Sequence, residues 1–143
     1  MDDPFNLERF VIQQVDIFDH ALAEIRAGEK RTHWMWFIFP QLRGLGQSPA
    51  SQYYGITSID EARAYLEHRT LGPNLRKIVE ALMPWRTDCT AQQILGSVDA
   101  MKLRSCLTLF EAASDDPLFG RGIDVFFGGD RDEATLALLN RQA

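Results

Sequence analysis

From Trp34 to Pro40 the chain reads Trp-Met-Trp-Phe-Ile-Phe-Pro, seven consecutive large apolar residues. No one face of a helix or strand can carry them all. Such a run is either a short helix buried on every side or a central strand, and periodicity alone does not separate the two. Pro40 favours a short helix that ends there.

The flanking sequence is helical in pattern. Leu7, Val11, Val15, Phe18, Leu22 and Ile25 recur at three- and four-residue spacing, which predicts a helix over 7–27. Asn6 is its expected N-cap and Gly28 its expected C-terminal cap. Residues 42–52 hold Gly44, Gly46, Ser48, Pro49 and Ser51 and read as a loop. Ser58 and Glu61 have capping-box spacing before Ala62, Tyr65 and Leu66. Pro73 suits the first turn of a helix burying Leu75, Ile78, Val79 and Leu82, ended by Pro84. Further helices are expected over Thr90–Leu95, over Asp99–Ala112 with Leu103, Leu107 and Phe110 inward, and from Asp116-Pro117 to Gly128-Gly129. Asp130 and Glu133 repeat the capping-box spacing ahead of a last helix. No segment alternates with period two. The expectation is an all-α fold of about seven helices in a single domain over 1–143.

Composition narrows the functional classes. An apolar fraction of 45% with 24% charged residues is that of a chain with a core, not of a disordered one. The net charge of −5 argues against a nucleic-acid or anionic-membrane binder, because those partners need a basic surface. Arg26, Lys30 and Arg31 form a short basic stretch, best read as cations at a helix C-terminus. Cys89 and Cys106 are too few for a disulfide framework and lack metal spacing, so two reduced thiols in a cytoplasmic protein are expected. The N-terminus has no secretory pattern, and the longest apolar run is far short of a membrane span. His20, His33 and His68 lie too far apart to suggest a metal site, and no cofactor motif is present.

Polar groups set among apolar ones are the remaining signal. His33 precedes the aromatic run and Gln41 follows it. Burial of either is costly without a partner. One reading is a pocket where Trp34 and Trp36 stack on a planar ligand while His33 and Gln41 hydrogen-bond it. The other is a core aromatic cluster, and for the run taken alone this plainer reading is preferred. Tyr54 beside the glycine-rich loop is likewise better explained without chemistry. Asp99, Lys102 and Ser105 fall on one helical stripe. Exposed, the charged pair contributes little; buried, it offers a carboxylate and an ammonium for holding a phosphate. Asp124, Asp130 and Asp132 resemble a calcium loop only loosely, and helix capping explains them better.

The string His33-Trp34-Met35-Trp36-Phe37-Ile38-Phe39-Pro40-Gln41-Leu42, with Gly44-Leu45-Gly46, Ser48 and Tyr54-Gly55-Ile56, resembles a bacterial family. That family is domain of unknown function eighteen-ten, whose members are sometimes labelled calpastatin. Glu61-Ala62, Tyr65-Leu66, His68, Leu71-Gly72, Asp99, Lys102-Leu103-Arg104-Ser105, Thr108-Leu109-Phe110, Asp124, Phe126-Phe127 and Gly129 extend the likeness over nearly the whole chain. Where the family has His-Pro, this chain has His68-Arg69, and Pro73 takes the place of that helix-starting proline. The resemblance implies a compact, mainly helical fold and brings no activity. The calpastatin label implies a disordered inhibitor of low hydrophobicity, and the composition opposes that. Tyr65-Leu66-Glu67-His68 through Leu71 and Leu75, with Gly96 to Leu103, is also faintly similar to small bacterial hydrolases of NAD and ADP-ribose.

Two functional readings follow. In the first, the domain binds or hydrolyses a nucleotide-like small molecule. Asp99 and His33 are then the catalytic candidates, and Trp34, Trp36, Gln41, Tyr54, His68, Lys102 and Ser105 the ligand-binding ones. In the second, a non-catalytic helical domain uses its many aromatics to meet a protein partner or itself. The first is preferred, because an interface does not by itself call for His33 and Gln41 beside the tryptophans.

Overall fold

The computed structural model describes residues 2–142, and among them every regular element is helical. The α-helices are α1 (Glu8–Arg26), α2 (Met35–Ile38), α3 (Pro49–Tyr54), α4 (Ile59–Glu67), α5 (Leu71–Leu82), α6 (Ala91–Leu95), α7 (Ser97–Ala113), α8 (Pro117–Phe127) and α9 (Glu133–Gln142). A single 3-10 turn, Met83–Trp85, extends α5.

Helix α7 is the axis of the fold and packs against α4, α6, α8 and α9. Ser105 to Phe110 are all buried, so over that stretch the helix has no solvent face. Helix α1 crosses α5 and α2 on the other side of the core. Its buried Gln14 is fully engaged. The side-chain amide donates to Phe37 O (2.8 Å) and Tyr65 Oη (3.0 Å), while its oxygen accepts from Asn74 Nδ2 (3.0 Å). One residue thereby ties α1 to α2, α4 and α5, with each buried polar atom satisfied.

Several ends differ from the pattern-based expectation for local reasons. Asn6 does not cap α1; it sits at φ 53°, and the Asp3 carboxylate accepts from Leu7 N (2.8 Å) and Glu8 N (3.1 Å) instead. The segment expected to be loop contains α3, whose first turn is capped by Ser48 Oγ accepting from Ser51 N at 3.1 Å. Helix α5 starts at Leu71, with Pro73 in its first turn. Asp132, not Asp130, caps α9: its carboxylate accepts from Thr135 N (3.1 Å) and Thr135 Oγ1 (2.5 Å). Asp130 pairs with Arg104 (2.8 Å) and Asp124 with Arg131 (3.0 Å), so the acidic cluster is largely a set of counterions. Helix α9 itself is shallowly attached. Thr135 is its buried residue, with Leu138 and Leu139 half-buried on the core.

The apolar run follows helical geometry after all. Trp34, Met35, Ile38 and Phe39 turn inward, whereas Trp36 and Phe37 are left half-exposed on the opposite side. The run is therefore not buried on every side.

Beneath α3 and α4 lies a buried ion pair. Arg9 Nη2 is 2.7 Å from Glu61 Oε2, with the two side chains 4% and 1% exposed. Arg9 Nε donates to Tyr53 O (2.9 Å), Nη1 to Phe5 O (2.7 Å) and Asn6 O (2.8 Å), and Nη2 also to Gly55 O (3.1 Å). Glu61 Oε1 accepts from Thr57 N (2.9 Å) and Thr57 Oγ1 (2.7 Å). All the guanidinium donors are matched, the condition under which such burial is tolerated. Glu61→Ala leaves the cation unpaired in the interior and is expected to cost about 3–5 kcal/mol in urea denaturation. A loss below about 1 kcal/mol would show the pair to be as weak as a surface one.

Candidate functional site

The loop after α2 is held as a closed unit. Ile56 N donates to Gln41 O (2.8 Å) and Arg43 N to Ile56 O (2.7 Å), a single parallel bridge between Leu42 and Ile56. The backbones cross so closely that a Cβ on Gly55 would stand 2.6 Å from Arg43 Cβ and 2.7 Å from Ser51 O. Only glycine fits there.

This loop forms one wall of a groove of about 320 Å3. Trp36, Gln41, Leu45 and Gly46 line that wall, Val98, Met101, Lys102 and Ser105 come from the first half of α7, and Asp132 and Ala134 from the start of α9. Beside it lies a void of about 10 Å3, lined by Trp36, Gln41, Ser51, Tyr54 and Gly55 among others.

The charged groups are ordered around Asp99. Its Oδ2 meets Lys30 Nζ at 2.8 Å and its Oδ1 meets Lys102 Nζ at 3.4 Å. Lys102 Nζ also lies 3.9 Å from the centroid of the Trp36 ring, a cation–π contact. Gln41 Nε2 is buried and has no hydrogen-bond partner. Ser105 Oγ lies 3.1 Å from Asp132 Oδ2 and 3.2 Å from Met101 O, so its one proton is committed to a neighbour. Tyr54 packs on Phe37 and Phe10, and burial pushes its hydroxyl above the usual tyrosine range. That is the wrong direction for an acid at neutral pH.

The structure thus brings together Trp36, Gln41, Lys102 and Ser105, with Tyr54 on the adjoining void and Asp99 behind Lys102. The others lie elsewhere. Trp34 is 1% exposed and donates from its indole to Glu24 Oε1 at 3.1 Å, so it cannot stack on a ligand. His33 is exposed ahead of α2 and is not among the residues that line the groove. His68 lines a separate surface cavity with Phe5 and Arg69, and its Nδ1 accepts from Thr70 N (3.1 Å) and Leu71 N (3.2 Å) at the start of α5. Lys30, Val98, Met101 and Asp132 were not among the expected site residues. Lys30 was read as part of a basic helix end and Asp132 as part of an acidic cluster, while Val98 and Met101 carried no signal. Among the described residues no three His, Cys, Asp or Glu side chains gather as metal ligands, and no helix is long and apolar enough to cross a membrane.

Comparison with known proteins agrees with this chain's motifs. The sequence model of the family described as protein of unknown function (DUF1810) matches residues 4–139. The chain belongs to that family. A solved structure, that of the conserved hypothetical protein Rv1873 from Mycobacterium tuberculosis, superposes with a TM-score of 0.92 at 44% identity. The match covers 96% of this chain and 99% of the mycobacterial one. No curated protein matches. The chain therefore has the DUF1810 fold, and neither match brings an activity with it.

The segment that carries His33 and Trp34 hangs on one carboxylate. Glu24 accepts from Arg31 N (2.6 Å), Thr32 N (3.0 Å), Thr32 Oγ1 (2.6 Å) and the Trp34 indole, with His20 Nε2 at 2.8 Å. Burial opposes its ionisation, but the donors from Thr32, Arg31 and Trp34 outweigh it and hold the pKa at about 2, down from 4.5. A depressed carboxyl stabilises the fold above its unfolded pKa and loses that contribution as pH falls. The loss is about 3 kcal/mol between about pH 5 and pH 2. Glu24→Gln is expected to melt lower than wild type at pH 7, with the gap closing towards pH 2. A gap that stays constant with pH would refute the assignment.

Proposed function

We propose that the groove between α2, α7 and α9 binds a small, flat, anionic molecule of the nucleotide kind. The observation that carries this is Gln41 Nε2, a buried donor without a partner on a groove that also presents Trp36 and Lys102. An orphaned buried donor costs about 1–3 kcal/mol, which a ligand oxygen offsets. The indole of Trp36 supplies a stacking surface and the ammonium of Lys102 a charge for a phosphate or carboxylate. The reading is binding and not hydrolysis, since Asp99 has both oxygens engaged by lysines and the groove's own carboxylate, Asp132, is engaged by Thr135 and Ser105. Two free thiols, Cys89 and Cys106, favour a cytoplasmic setting.

A second reading rests on the groove's rim. Val98 and Met101 are 66% and 62% exposed there, and apolar residues so placed favour a protein partner or a second copy.

Fluorescence titration with AMP, ADP-ribose and NAD tests the first. A saturable change that is lost in Trp36→Phe and weakened in Gln41→Leu is expected. Gln41→Leu should fold at least as stably as wild type, because it removes an unsatisfied group. Silence from all three ligands, in protein shown by circular dichroism to be folded, would discard the nucleotide reading and favour the rim.

A further inference from the structure

We infer that Lys102 is the specificity-determining residue of this groove, admitting ligands by charge through exchange on the face of Trp36. The inference rests on the small-molecule reading above and goes beyond it by naming what selects the ligand.

In the free protein the Lys102 ammonium occupies the indole face, 3.9 Å from the ring centroid. A flat ligand cannot stack on that face while the ammonium is there. The neighbouring contacts show which of the two lysines is free to move. Lys30 is 7% exposed and doubly anchored, to Asp99 Oδ2 at 2.8 Å and Thr32 O at 2.7 Å, and lies over Trp34 at 5.0 Å. Lys102 is 22% exposed and holds Asp99 at a looser 3.4 Å. Lys30 and Asp99 thus form a fixed base, and Lys102 is an arm on it.

Lys102 is the one cation among the residues that line the groove. It shares the single carboxylate of Asp99 with Lys30, so that carboxylate is divided between two ammonium groups. The carboxylate on the groove, Asp132, accepts from Thr135 and Ser105 and shares Arg104 with Asp130. Lys102 belongs to a chain of net charge −5, so it is not part of a generally basic surface. When a ring displaces the ammonium from Trp36, the cation–π contact is lost. A ligand that carries an anionic group gives the ammonium a stronger partner in return, with Asp99 still within reach. A neutral ring offers no such return.

Matched pairs test this by calorimetry together with Trp36 fluorescence: AMP with adenosine, and nicotinate with nicotinamide. Wild type is expected to prefer the anionic member of a pair by about tenfold or more. In Lys102→Met that preference disappears, because anion binding weakens while neutral binding holds or improves on the vacated indole. Lys102→Arg keeps the preference and controls for packing, with melting curves for all variants. Equal weakening of both members in Lys102→Met would make Lys102 a structural residue and overturn the inference with the binding site intact. Tight but charge-blind binding by wild type would overturn it as well. If no ligand perturbs Trp36 in wild type, the groove is not a site for flat small molecules, and both readings fall together.

Discussion

Each N–H of the Arg9 guanidinium is committed to an acceptor, and those acceptors lie on three separate segments. Phe5 and Asn6 precede α1, Tyr53 and Gly55 end α3, and Glu61 belongs to α4. A hydrophobic residue at position 9 could fill the same volume but could not satisfy these carbonyls. The short helix α3 fully buries only Ser51, and its end is held by this cation together with Tyr54 packing on Phe10 and Phe37. The same pair fixes Gly55, next to the Ile56 bridge that closes the Gln41 loop. The groove wall is in this sense a consequence of a buried charge on the far side of it.

What could be read from the sequence follows the range of the interaction. Helix α4 was marked by Ser58 and Glu61, and α8 by Asp116-Pro117 and Gly128, because caps act within a few residues. Helix α3 was not, since its Gly- and Ser-rich flanks look like loop and part of what anchors it, Arg9 and Phe10, lies more than forty residues away. Asn6 and Asp130 misled for a related reason: an equally good carboxylate, Asp3 or Asp132, stood two or three positions off.

The site was legible in residue type more than in arrangement. Trp36, Gln41, Lys102 and Ser105 were singled out by chemistry, and the fold places them on one groove. Trp34 looks identical to Trp36 in sequence, yet helical geometry sends the two rings in opposite directions. His33 sits one residue from the core and remains in solvent. The link between Lys30 and Asp99 crosses about seventy residues and leaves no local trace.

Helix α9 is joined to the body by one capping carboxylate, a few ion pairs and a single fully buried side chain. Elements of this kind separate from a protein well before its core loosens. Because Asp132 and Ala134 belong to the groove, one of its walls depends on how this helix is seated. The shape of the groove is thus tied to the seating of the last helix as well as to the core.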